Sequence, residues 1–182
     1  FDIMGFAASC TAEHVETVDG ALRSRHAPPK LYLLSNGDRV DASALGFCKE
    51  HSIQLSMSLP GLSTFNRHTQ HGDADSVLEK FAQAEAAGVP TVVGVTVTRW
   101  NLSELYETIS AAFLAGARQL LMNRFLPGGR GLQHASELML NRAQIRAELI
   151  ACELAEARWL SVAANKTHGL RRTNEDKAKA VT

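Results

Sequence analysis

The sequence predicts an α/β fold built on a parallel sheet, and three observations carry that prediction. Short apolar runs alternate with helical patterns along most of the 182 residues. The runs are rich in Leu, Val and Ile at odd and even positions alike, as in strands covered on both faces. Each strand–helix unit takes roughly 30 residues, the share of one unit in a (β/α)8 barrel. About five such units are present. That is too few for a full barrel, and either an open partial barrel or a doubly wound sheet accommodates them.

The strands are read in order as "FDIMGF" (1–6), "LYLLS" (31–35), "IQLSMS" (53–58), "TVVGVTVT" (91–98), "QLLMNRF" (119–125) and a weaker "WLSVA" (159–163). Helical spacing of apolar residues places a helix at 12–25. A second, at 41–51, opens on the cap candidate Asp41. A third, at 73–88, has Asp73 or Asp75 as its cap and stops at Gly88. The helix at 102–116 follows Asn101, with Glu104 three residues on, the spacing of a capping box. The helix at 142–158 follows Asn141, with Gln144 in the same relation. Residues 1–164 are read as one domain and 165–182 as a polar tail, disordered because it lacks large apolar side chains.

Composition excludes several classes. Formal net charge is zero, so no global field draws in nucleic acid or an anionic membrane. No apolar run approaches the roughly 20 residues of a membrane-spanning helix. "FDIMGFAASC" has no basic leader and carries Asp2, unlike a secretory signal. Cys10, Cys48 and Cys152 lack zinc or redox spacing and read as reduced, mostly buried thiols of a cytoplasmic protein. His68 and His71 have no third ligand near them, so no metal site is assigned.

In parallel α/β folds ligands sit at the carboxyl ends of the strands. Here those ends are polar and rich in glycine: "SNGDR", "SMSLPGLSTFNRHTQHG", "TVTRWN" and "NRFLPGGRG". Ser56 and Ser58 alternate with apolar neighbours and therefore share one face. Asn36-Gly37 makes a turn by itself, Asn101 serves as a helix cap in the plain structural reading, and Arg99-Trp100 offers a stacking pair. No nucleophile elbow, Walker loop or dinucleotide glycine fingerprint is present.

The ordered strand ends carry a resemblance. "LYLLSNG", "IQLSMSLPG" and the stretch from Ser76 to Leu132 resemble the later part of a radical S-adenosylmethionine (radical SAM) domain, most closely that of peptide-modifying and related enzymes. The matching features are Ser35-Asn36-Gly37, then Ser58-Leu59-Pro60-Gly61, then a helix closing on Ala87-Gly88. They continue with Asn101 opening a helix, and Asn123 followed by Pro127-Gly128-Gly129. Residues 30–132 match in order and spacing; the first 29 and last 50 match weakly.

The resemblance implies an incomplete (β/α)6 partial barrel. It implies S-adenosylmethionine lying across the strand tips and chelating a [4Fe–4S] cluster, with a peptide or protein as the substrate class. Reductive cleavage then yields a radical that abstracts hydrogen from substrate. By position, Ser58 lies near the ribose, and Asn123 with the backbone from Phe125 to Gly128 borders the adenine. Asn36 and Asn101 line the rim, and Arg67 is the candidate for an arginine the family often carries. The family's Cys-x3-Cys-x2-Cys loop and its Gly-Gly-Glu-Pro element are missing. The expectation is therefore a segment of a radical SAM enzyme, not competent alone, whose chain begins at the second barrel strand. Two alternatives are a cluster-free α/β-barrel binding module and an α/β-barrel enzyme whose "LPGGRG" loop and Arg130 hold a phosphate.

Overall fold

A computed structural model describes residues 31–151, 153–155 and 157. The expected strands at 1–6 and 159–163, the helix at 12–25 and the tail lie outside the described residues. Within them, four strands form one parallel sheet in the order β1 (Tyr32–Ser35), β2 (Gln54–Ser58), β3 (Thr91–Val97) and β4 (Gln119–Arg124). Spatial order follows chain order, as expected when each strand is returned to its neighbour by one helical crossover.

The crossover helices start and stop where their side chains permit. Asp41 accepts from the Ala44 N–H at 2.8 Å and opens the helix Ala42–Glu50. Asp73 does the same for Ser76 at 2.7 Å and opens Ala74–Ala87, which ends on left-handed Gly88 at φ 76°. Each cap satisfies a backbone donor that the first helical turn leaves without a partner. Asn141 and Gln144 form the expected reciprocal box, both bonds at 2.9 Å, ahead of helical residues 142–151.

The expected box at Asn101 and Glu104 does not form. Neither side chain caps; Leu102–Glu104 is a 3-10 turn leading into Leu105–Ala115. Both side chains instead reach back to the loop after β2, as described below. Three short helical pieces also fall where loop was expected: Phe65–His68, a 3-10 stretch Gly129–His134, and Ala135–Leu138.

The two sheet faces differ. Leu55, Met57, Val93, Val95 and Val97 point toward the helices and join Phe81, Leu105 and Ile109 in the core, all at most 2% exposed. Cys48 is buried in the same layer as a free thiol. Leu34, Ser56, Ser58, Gly94, Leu121 and Asn123 occupy the opposite face. The apolar content at both parities predicts strands covered on both faces, and the structure corrects this for the outer strands. Tyr32 is 50%, Leu34 61% and Leu121 44% exposed. The sheet is not closed, so among the described residues the face that a barrel turns inward lies open.

Candidate functional site

Strand register sets the floor of a cleft of about 670 Å³ on the open face. Successive rows run Leu34–Ser56–Val92, then Ser58–Gly94–Leu121, then Thr96–Asn123. The period of two puts Ser56 with Ser58, and Gly94 with Thr96, on one face. Leu and Val side chains supply apolar area while Ser, Thr and Asn supply directed donors and acceptors, the mixture usual in small-molecule sites. A second hollow of about 310 Å³, between Tyr32 and Gln119, shares Leu34, Ser56 and Leu121 with it.

The loops after β2 and β3 form the rim. The Arg67 guanidinium lies 4.4 Å from the centre of the Trp100 ring, a cation–π contact. Arg99, read from the sequence with Trp100 as a pair able to stack on a ring, donates to the Met139 carbonyl at 2.9 Å. His68 meets Trp100 edge-on, with ring centres 5.7 Å apart. Its Nδ1 lies 3.0 Å from the Thr64 carbonyl and its Nε2 3.0 Å from Thr98 Oγ1. A carbonyl only accepts, so Nδ1 carries a proton. Both ring nitrogens are therefore engaged within the wall. Among the described residues no three His, Cys, Asp or Glu side chains gather as a metal site.

Beneath the rim, Asn101 is 1% exposed. Its Oδ1 accepts from Thr98 N at 2.8 Å, and its Nδ2 donates to the carbonyls of Thr96, at 2.9 Å, and Pro60. Three residues on, Glu104 accepts from both N–H and hydroxyl of Ser63 and of Thr64. Partial burial pushes its carboxyl up, but the Thr64 and Ser63 hydrogen bonds outweigh this and leave it below the ordinary value. Asp73 is also lowered, chiefly by the Ser76 backbone bond.

Both carboxylates are held more tightly ionised in the folded state than in the unfolded one. Their stabilisation is fully present above the unfolded carboxylate range, roughly pH 5, and fades as pH falls through the depressed folded values. Urea unfolding followed from pH 7 to pH 3 is expected to show an acid limb that flattens in Asp73→Asn and Glu104→Gln. An acid limb unchanged in both variants refutes that assignment.

The sequence-derived site residues separate into two groups. Ser58, Asn123 and Phe125 line one cleft, together with Ser56. Asn36, Asn101 and Gly128 are not among its lining. Asn36 is exposed and closes a turn with Asp38, donating to Oδ2 at 2.9 Å and accepting from its N–H at 3.2 Å. Asn101 is a buried brace. Gly128 is exposed, with open space around it. The bare backbone that matters in this loop is at Gly131, where an added Cβ would lie 3.0 Å from the Phe125 ring. His134 and Leu138 join the lining, which the sequence did not reveal. Nothing in the spacing of "GGRGLQHASEL" signals which of its residues turn back over the sheet.

No family model matches this chain, and no curated protein matches it in sequence. Solved structures do match in fold. One is coproporphyrinogen III oxidase from Escherichia coli, a radical SAM enzyme, with a TM-score of 0.58 at 11% identity. The match covers 80% of this chain and 36% of the oxidase, so this chain spans about a third of that enzyme's length. The four parallel strands with their helices therefore share the α/β fold of a radical SAM barrel.

Proposed function

We propose that this chain is a segment of a radical SAM enzyme and that its open cleft receives S-adenosylmethionine. The observation that carries the proposal is the convergence of Ser58, Asn123 and Phe125 on one cleft at the carboxyl ends of β2 and β4. The resemblance assigned these residues to the nucleoside, and the fold similarity to a radical SAM enzyme supports the same family.

The described residues suit the nucleoside. Asn123 offers an amide that both donates and accepts, as an adenine edge requires. Phe125 offers a ring for stacking. Ser58 presents a hydroxyl to a ribose, and Gly94 beside it leaves the floor low. When bound, S-adenosylmethionine is the radical precursor of the family; this chain's part is to orient its nucleoside and shield it from water.

The described residues do not suit a [4Fe–4S] cluster. Cluster binding takes cysteine thiolates. Cys48 lies under the helix layer, 1% exposed, and burial pushes its thiol up, away from the thiolate. Reductive cleavage at a cluster therefore has no ligand set among these residues.

Calorimetric titration of the intact protein with S-adenosylmethionine tests the proposal. Asn123→Ala is expected to weaken binding by about 1–2 kcal/mol, the scale of one lost hydrogen bond in a desolvated site. Equal affinity in wild type and Asn123→Ala removes Asn123 from the site. No binding by the intact wild-type protein overturns the proposal.

A further inference from the structure

We infer that the turn Asn101–Glu104 is a positioning clasp that sets the cleft wall formed by Arg67, His68 and Trp100. It draws together two loops about forty residues apart in sequence. Asn101 holds the Pro60 carbonyl, and Glu104 holds Ser63 and Thr64. The segment 60–64 is thus gripped at both ends by side chains of one turn. The grip passes directly to the wall. Thr64 is the residue on which the helix Phe65–His68 begins, and its carbonyl faces His68 Nδ1. That four-residue helix has no side-chain cap of its own. With Phe65 buried in the core, the helix's orientation depends further on what holds Thr64.

The opposite side of the wall is tied to the same turn. Asn101 Oδ1 accepts from Thr98 N and lies 3.3 Å from the Thr98 hydroxyl. Thr98 Oγ1 in turn accepts from the Trp100 N–H at 3.1 Å and meets His68 Nε2. Trp100, against which Arg67 and His68 pack, is thereby tied through Thr98 to Asn101, three residues before the Glu104 that holds Thr64. Gly61 completes the grip, since a Cβ there would collide with the Glu104 carboxylate and the Thr64 hydroxyl. A helix-capping role for Glu104 requires none of these contacts. The carboxylate saturates its acceptor sites on a loop rather than on its own helix, which is the mark of a tie between loops.

Two readouts test the clasp, and only the second rests on the S-adenosylmethionine reading. In a Trp159→Phe background of the intact protein, Trp100 is the remaining indole, and its emission reports the packing of Arg67 and His68 on the ring. Glu104→Ala is expected to shift that emission toward the spectrum of solvated indole, with Glu104→Gln intermediate because one oxygen still accepts. Thr64→Val should produce a similar shift, and the Glu104→Gln, Thr64→Val double variant should add little to either single change. Affinity for S-adenosylmethionine is expected to fall about tenfold in Glu104→Ala and about threefold in Glu104→Gln. Emission unchanged in Glu104→Gln and Thr64→Val, the milder variants, overturns the clasp. Shifted emission in a protein that never binds S-adenosylmethionine upholds the clasp and overturns the proposed ligand instead.

Discussion

Asn101→Ala is expected to lower stability by about 3–4 kcal/mol, a loss seen only when several buried polar groups lose their partners together. The side chain is 1% exposed and serves the Thr98 N–H and the carbonyls of Thr96 and Pro60. Alanine fills none of these valences, and water has little access to replace them. Asn101→Asp is the sharper companion. It keeps the acceptor facing Thr98 N but turns a second oxygen toward two carbonyls, so it should be no better tolerated than alanine. Urea unfolding measures both, with the midpoint moving and the slope constant. A loss under about 1 kcal/mol in Asn101→Ala means that the loop can re-pair its backbone, and the brace is not required.

Phe81→Ala should cost about 3–5 kcal/mol, the range for removing a buried aromatic ring. Phe81 is 0% exposed, on the helix Ala74–Ala87, in the layer between the sheet and the helices. The ring's removal forfeits its transfer free energy and leaves a cavity that packed neighbours fill only in part. Phe81→Leu keeps most of the volume and should lose less than half as much. Because the cleft lies on the other face of the sheet, Phe81→Leu should leave ligand affinity within about twofold of wild type. The pair of variants thus separates the stability face from the binding face. A change in affinity as large as that of Asn123→Ala would show that the two faces are coupled through the strands.

Local signals were enough for most of the secondary structure. Asp41, Asp73 and the Asn141–Gln144 pair act as caps because a cap needs only neighbours two or three residues away. The same rule failed at Asn101 and Glu104, where the spacing was right and the partners were elsewhere. Nothing within four residues of Glu104 distinguishes a carboxylate that will cap from one that will seize Ser63 and Thr64. Nor does adjacency in sequence predict the contact of the Trp100 ring: tertiary approach brings Arg67 onto it, while Arg99 donates to the Met139 carbonyl. The site divides along the same line. Strand alternation fixes which way a side chain points, so Ser56 and Ser58 could be placed on one face from the sequence, and both line the cleft. Ser58, Asn123, Asn36 and Gly128 were all assigned by resemblance; the strands put the first two on the open face, and loops carry the others outside the cleft lining.

By itself, then, the sequence determined the strand and helix order, the parallel sheet, and the alternation that aligns Ser56 and Ser58. All of these depend on short-range periodicity and on one-turn caps. Tertiary structure alone decided that, among the described residues, one sheet face stays open, and that Arg67 packs on Trp100. It also decided that Asn101 and Glu104 clasp a loop some forty residues away. Those outcomes depend on which side chains meet after the strands align, and no local pattern encodes a meeting between loops that only the sheet brings together.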